Sequence, residues 1–400
     1  MKPIFYALIL LLLMPLMTPF QNTAYAMEEE KPVTLHSEAA ILIDGTTGQV
    51  LYEKDSDRPM YPASITKIVT GIIALENGNL EDMVTVSEAA RNVEGTRVYL
   101  LEGEQVPLLK LVQGMLINSG NDAATAIAEY FDGSEAKFAE RMNEFVRDKI
   151  GVTNTTFQNP HGLFNENHQT TARDMALITQ YAMQNPQFRS IVGTKELGWN
   201  GEGWKTTIYN HNKLLWRYEG TTGVKNGYVD ESGHTLVASV KRGDSEWIAV
   251  TLKAASSEFA YSDMEALFNY GFEQFRTNRV VLNPSLFQTY LDRYVIPEEL
   301  VFTSRKDENF VIQINDASGQ MVVSSLEGQN LYTEDLEPIA AAASRNRSSE
   351  KQQEDNPEGA SIEKKAVPYK LGTGTTFVLT IFITLVFLIL RKRIKRKNAL

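Results

Sequence analysis

Pro62-Ala63-Ser64-Ile65-Thr66-Lys67-Ile68-Val69-Thr70-Gly71-Ile72-Ile73-Ala74-Leu75-Glu76 sets a serine and a lysine three residues apart at the head of an apolar segment. Ile65, Ile68, Val69, Ile72 and Ile73 follow the i, i+3, i+4 spacing of a helix, which is therefore expected over 64–76. Residues three apart share a helix face, so the Lys67 amine should stand beside the Ser64 hydroxyl. A serine hydroxyl is a weak nucleophile until an adjacent base takes its proton. A lysine serves as that base once burial or a nearby cation lowers its pKa. The helix N-terminus also favours negative charge developing at Ser64. A plain alternative stands beside this one: Ser64 as an N-cap with Lys67 in solvent.

Outward from this segment, Ala40-Ile41-Leu42-Ile43 and Val50-Leu51-Tyr52 flank the turn-rich Gly45-Thr46-Thr47-Gly48 and predict a hairpin. Helices are expected at 108–117 and 122–131, separated by the polar break Asn118-Ser119-Gly120-Asn121, and again at 134–149 and 172–184. Strands at 223–228, 234–240 and 247–252, joined by polar turns, predict an antiparallel meander, followed by a helix near 263–275. Strands early and late with helices between them indicate an α+β domain whose sheet takes strands from both ends of the chain.

Two further motifs fall inside this plan. Ser119-Gly120-Asn121 occupies the corner between two helices. It reads either as a mere turn or as a site in which Ser119 relays a proton between Lys67 and a leaving amine, while Asn121 steadies Lys67 and a substrate carbonyl. Lys225-Asn226-Gly227 lies on a strand, followed by Tyr228. It reads either as an exposed strand end or as a substrate edge. Gly227 admits a second backbone, so that a peptide can add to the strand by main-chain hydrogen bonds. Lys225 would supply positive charge for a carboxylate, and the N–H groups of Ser64 and Tyr228 would form an oxyanion hole.

The three motifs, in this order, resemble those of the serine-type D-alanyl-D-alanine carboxypeptidases, the low-molecular-mass penicillin-binding proteins. The resemblance extends over roughly 39–275. Asn159-Pro160-His161-Gly162-Leu163, His168-Gln169-Thr170-Thr171-Ala172-Arg173-Asp174-Met175, Asp230-Glu231-Ser232-Gly233-His234 and Tyr270-Gly271-Phe272 are similar to further segments of that family. It implies a penicillin-binding/β-lactamase-like transpeptidase fold, an antiparallel sheet flanked by helices. It also implies Ser64, Lys67 and Ser119 as catalytic residues, with Asn121, Lys225, Asn226, Gly227 and Tyr228 binding substrate. The substrate would be a peptidoglycan stem peptide ending in D-Ala-D-Ala, and β-lactams would acylate Ser64. His161 and His168 would be structural, since the family's mechanism uses no histidine.

Three positions depart from the family pattern. Asn226 stands where the third motif usually has Thr or Ser, and Val229 stands where a threonine is usual. The stretch Glu258-Phe259-Ala260-Tyr261-Ser262 lacks an arginine that many relatives carry about three residues before the position of Asp263. All three fall on recognition of the substrate's end. A D,D-endopeptidase or another active-serine activity on the same fold is therefore an alternative, as is a catalytically weak wall-binding homologue. A class A β-lactamase is disfavoured because no E-x-x-[LT]-N stretch lies between the second and third motifs.

The ends of the chain carry different information. Residues 1–26 read as a signal peptide: an apolar run ends in Ala24-Tyr25-Ala26, an A-x-A cleavage site. A catalytic domain is expected over 27–278, a small β domain over 279–336, and a linker poor in large apolar residues over 337–370. The apolar run 371–390 is long enough to span the roughly 30 Å hydrocarbon layer. The basic tail 391–400 after it would stay in the cytoplasm, leaving the catalytic domain outside a single-pass anchor in the cell membrane. The net charge of −11 includes this basic tail, so the outward-facing part is more acidic still, which argues against nucleic acid. There is no cysteine, which excludes disulfides and thiol chemistry. The five histidines lack metal-ligand spacing, so neither metal nor cofactor is expected.

Overall fold

The computed structural model describes residues 33–341. The expected signal peptide, most of the linker, the apolar run 371–390 and the basic tail lie outside these residues. Among the described residues no helix is long and apolar enough to cross a membrane.

A five-stranded antiparallel sheet forms the backbone of the catalytic region, in the order β2-β1-β9-β8-β7. Its strands are β1 (Ala39–Asp44), β2 (Val50–Lys54), β7 (Thr221–Val229), β8 (Gly233–Arg242) and β9 (Ser245–Ala254). The first and last strands of the region therefore meet in one sheet: β1 pairs β9 with Leu42 opposite Ala249. All six residues of β1 are buried, because helices cover both faces of the sheet. On one face lie α1 (Lys67–Asn77), α2 (Glu88–Asn92), α3 (Leu108–Ile117), α4 (Asn121–Asp132), α5 (Glu135–Phe145), α6 (Ala172–Ala182) and α7 (Pro186–Val192). A short α8 (Leu214–Arg217) leads into β7, and α9 (Ser257–Gln274) covers the other face with Ala260, Tyr261, Met264, Leu267 and Phe268. Two small two-stranded antiparallel sheets, β3 (Met83–Thr85) with β4 (Gln105–Pro107) and β5 (Glu196–Asn200) with β6 (Lys205–Tyr209), flank the helices.

Helix α1 is the centre of the helical layer. Every residue from Lys67 to Leu75 is buried, so the apolar stripe seen in the sequence is one side of a helix enclosed all round. Each fully buried Ile or Val contributes about 1.5–3 kcal/mol, so this helix is held chiefly by packing. Ser64 itself precedes it, in a 3-10 turn over Ala63–Thr66 that Ala63 enters with φ +50°. The expected single helix over 64–76 is thus a tight turn joined to an α-helix.

Two other expectations need correcting. The last helix of this region begins at Ser257, six residues earlier than 263, because Ser256 caps it by accepting a hydrogen bond from Phe259 N. The position of the missing arginine is therefore inside its first turn and is filled by the buried Ala260. The helix expected over 134–149 ends at Phe145 and continues as a π turn (Val146–Ile150).

After α9 the chain passes into β10 (Phe275–Val281), which pairs β11 (Glu299–Arg305). A three-stranded sheet follows: β12 (Phe310–Asn315), β13 (Gln320–Ser325) and β14 (Asn330–Asp335). Leu300, Phe302, Met321 and Val323 form its small core. Buried Asp44, at the end of β1, joins this block to the catalytic sheet. One carboxylate oxygen accepts from Thr46 N and Thr47 N, and the other accepts from the hydroxyls of Thr277 and Thr303, both at 2.7 Å.

Candidate active site

The 3-10 turn, the α3–α4 corner, the 159–163 loop and strand β7 converge on Ser64. Lys67 Nζ lies 3.0 Å from Ser64 Oγ, 2.7 Å from Asn121 Oδ1 and 2.7 Å from the His161 carbonyl. The Lys67 side chain is fully buried. Burial, and then the nearby Lys225 charge, hold its pKa well below the ordinary lysine value, with Asp122 opposing weakly. A neutral amine has two N–H donors and one lone pair. The Asn121 oxygen and the His161 carbonyl take the two N–H groups, which leaves the lone pair facing the Ser64 hydroxyl. In its protonated form the amine donates to Ser64 Oγ; once neutral, it would have only its lone pair left for that hydroxyl.

The orientation of Asn121 is settled by its other end, since its Nδ2 donates to the Glu94 carbonyl at 2.6 Å. Its backbone N–H donates to Thr96 O at 2.7 Å. Beside it, Asp122 is buried and accepts from the N–H groups of Val98, Leu100 and Ala123, which pins the 96–100 segment to the head of α4. Ser119 turns the corner with φ +64°, a left-handed conformation that costs a non-glycine residue about 1–2 kcal/mol. Such strain is held only where the surroundings over-determine it.

The 159–163 loop supplies what the motif reading lacked. Besides the His161 carbonyl, its Pro160 carbonyl accepts from Thr70 Oγ1 at 2.6 Å. Gly162, at φ +86°, lies so close to the 3-10 turn that a Cβ there would sit 1.9 Å from the Ala63 carbonyl oxygen. His168 accepts from Gln158 N through Nδ1, so its Nε2 carries the proton and donates to Thr66 Oγ1 at 2.8 Å. Burial, with His161 and Lys67 adding to it, lowers its pKa to about 3. Both of its nitrogens are spent on holding the turn.

Strand β7 is an edge of the sheet and brings the third motif to the serine. A Cβ on Gly227 would lie 2.6 Å from Ser64 N and 2.6 Å from Thr235 Oγ1, so only glycine permits this approach. Thr235 in turn donates to Pro62 O at 2.8 Å. Lys225 is buried, donates to Asn226 O at 2.8 Å, and has its pKa lowered to about 7 by burial. Asn226 is half-buried, while the Tyr228 ring points outward and its hydroxyl donates to Asp230. Beyond Gly227 a small hollow is lined by Asn226, His234, Thr235, Ser257, Ala260 and Tyr261, with no arginine or lysine among its lining. Among the described residues no cluster of His, Asp or Glu is placed to hold a metal.

Of the residues singled out from sequence, Lys67 touches both Ser64 and Asn121, and Gly227 packs against Ser64. Lys225 makes itself felt at Lys67 through its charge, and Ser119 stands at the corner two residues before Asn121. The His161 carbonyl joins them from the Asn159-Pro160-His161-Gly162 string, by a backbone group that no motif letter signals.

The family model for D-alanyl-D-alanine carboxypeptidases of peptidase family S11 matches residues 25–256. The chain is 34% identical to D-alanyl-D-alanine carboxypeptidase DacF of Bacillus subtilis over 269 residues, 65% of this chain and 69% of the relative. It is 36% identical to DacC of Escherichia coli over 285 residues, 68% of this chain and 70% of the relative. The crystal structure of penicillin-binding protein 6B from Escherichia coli superposes with a TM-score of 0.66 at 26% identity, covering 78% of this chain and 97% of that one. The chain belongs to the D-alanyl-D-alanine carboxypeptidase family.

Proposed function

We propose that this chain is a serine D-alanyl-D-alanine carboxypeptidase that trims peptidoglycan stem peptides. Ser64 Oγ attacks the carbonyl of the penultimate D-alanine as Lys67 takes its proton. The C–N bond then breaks, and the proton passes from Lys67 through Ser119 to the leaving D-alanine amine. Water attacks the resulting ester, the acid is released, and a proton returns to Ser64 Oγ. In this scheme Asn121, Lys225, Asn226 and Gly227 hold the substrate along β7, with the N–H groups of Ser64 and Tyr228 around the oxyanion. β-Lactams enter as substrates whose acyl-enzyme lingers.

The observation that carries the proposal is the buried Lys67 amine, 3.0 Å from Ser64 Oγ with both its other directions occupied by acceptors. The test is incubation of the full chain with a fluorescent penicillin, then with a peptide ending in Lys-D-Ala-D-Ala. Covalent label on the wild type but none on Ser64→Ala, with release of free D-alanine, is the expected result. An unlabelled wild type would overturn the enzyme reading.

A second reading is supported by the hollow beyond Gly227, whose lining offers no arginine or lysine for a terminal carboxylate. A D,D-endopeptidase acts at a cross-link, where that carboxylate is absent, and label without D-alanine release would favour it. The export signal at 1–26 and the apolar run 371–390 followed by basic residues support a catalytic domain outside the cell, tethered to the membrane. On this reading the chain divides into a catalytic domain over 27–278, a small β domain over 279–336 and a linker over 337–370.

A further inference from the structure

The hydrogen bonds of Lys67 do not end at Asn121 and His161. Asn121 and Thr125 lie one turn apart on the same face of α4. Thr125 Oγ1 donates to Glu135 Oε1 at 2.5 Å. Leu163 N donates to His161 Nδ1, so the proton of that ring is on Nε2, which donates to the same Glu135 oxygen at 3.2 Å. The His161 carbonyl then returns to Lys67 Nζ. Lys67, Asn121, Thr125, Glu135 and His161 thus close a ring in which the step from Asn121 to Thr125 is one turn of α4 and the others are hydrogen bonds: two acceptors of the base amine are tied to each other through one carboxylate on the first turn of α5.

Each member except Glu135 is almost wholly buried. Burial raises the pKa of Glu135, but the hydrogen bonds from His161 and Thr125 outweigh it, so the carboxylate stays ionised. It faces an open hollow of about 550 Å³ lined also by Glu94, Glu129 and Leu163, so a change of side chain here meets solvent rather than packed core. The Ser64 hydroxyl is not touched by Glu135, and no substrate group need reach it.

We propose that Glu135 is a positioning residue for the base: it locks the 159–163 loop to α4, so that the Asn121 oxygen and the His161 carbonyl stand together on Lys67 and its lone pair is aimed at Ser64. This inference rests on the reading of Ser64 and Lys67 as nucleophile and base. Without the carboxylate, the His161 Nε2–H and the Thr125 hydroxyl lose their shared acceptor. The loop is then free to shift, and a displacement of about 1 Å at a reacting pair costs on the order of 100-fold in rate.

The test uses the full chain, a fluorescent penicillin and saturation kinetics of acylation, with a thermal melt of each variant. Glu135→Leu should lower the maximal acylation rate at least tenfold while leaving the half-saturating concentration within about twofold. Glu135→Gln keeps an acceptor for both donors and should restore the rate to within about threefold of wild type. The isosteric Thr125→Val removes one donor of the ring and should fall between the two. A merely structural role predicts a lowered melting temperature with the maximal rate of the folded fraction unchanged, and that result overturns the proposal. So does Glu135→Leu acylating at the wild-type rate. A wild type that takes no label overturns the nucleophile reading itself and this inference with it, whereas a labelled wild type with an unaffected Glu135→Leu overturns the positioning role alone.

Discussion

The two ends of the cleft are built to different standards. Around Lys67 every polar group is held by at least one other: Asn121 by Glu94 and Thr96, the 159–163 loop by Thr70 and Ala63, the 3-10 turn by His168 and Thr235. Around Asn226 the lining carries an amide, a partly exposed histidine and the hydroxyl residues Thr235, Ser257 and Tyr261, but no arginine or lysine. Acyl transfer needs its reacting groups aligned to a few tenths of an ångström, and the first region supplies that alignment through redundancy. The second region has only to recognise an end group, and a change there alters which substrate is preferred rather than whether acylation occurs.

The comparison breaks most visibly at Gly162. In Gly162→Ala a Cβ would meet the Ala63 carbonyl oxygen at 1.9 Å, at a residue with φ +86°. The loop must move, and penicillin acylation should fall by about 100-fold or more. Overpacking and the left-handed backbone together cost about 2 kcal/mol or more, visible as a lowered melting temperature. A variant that acylates normally would mean the loop does not set the base.

The end-group region is tested by pH. As the proposed base, Lys67 would act only when neutral, so activity should rise with pH on the acid side through its depressed pKa. Lys225, with a pKa lowered to about 7, is positive below that pH and loses its charge above it. For a peptide ending in a free D-alanine carboxylate, kcat/KM should therefore fall above pH 7, approaching tenfold per pH unit. The same peptide amidated at its C-terminus should lack this alkaline limb. Identical profiles for the two peptides would remove Lys225 from carboxylate recognition.

The smallest effect belongs to Asn226→Thr. A hydroxyl in place of the amide should raise kcat/KM for the free-carboxylate peptide a few-fold, about 1 kcal/mol for one hydrogen bond, and leave the amidated peptide unchanged. Unchanged or lower turnover on the carboxylate would show that Asn226 is not what limits recognition.

What could be read in the sequence follows from how each group acts. Ser64, Lys67 and Asn121 meet through their side chains, so the motifs that carry those letters point to them. His161 acts on Lys67 through its backbone carbonyl, which every residue possesses, so its letter carried no hint of that role. Glu135 belongs to no motif and reaches Lys67 only through intermediaries, Thr125 on α4 and His161 on the 159–163 loop, a meeting that only the fold discloses. The bounds of α3 match the expected 108–117 because an apolar pattern ends there at a polar break. The start of α9 is not legible because Glu258 and Phe259 of its first turn are exposed, and either Ser256 or Ser257 could serve as the cap. The turn at Ser64 is not legible in the sequence because a 3-10 turn and a first α turn share the same short-range spacing, and the i→i+3 hydrogen bond from Lys67 N to Ser64 O is a feature of the fold.

Asp44 has a mechanical consequence. Its carboxylate clasps the end of β1 to hydroxyls on β10 and β11, and Thr47 adds a further contact to Thr303 at 2.9 Å. Since β1 lies in the same sheet as β7, with β9 and β8 between them, these hydroxyls cross-link the β10–β11 pair to the sheet that carries the third motif.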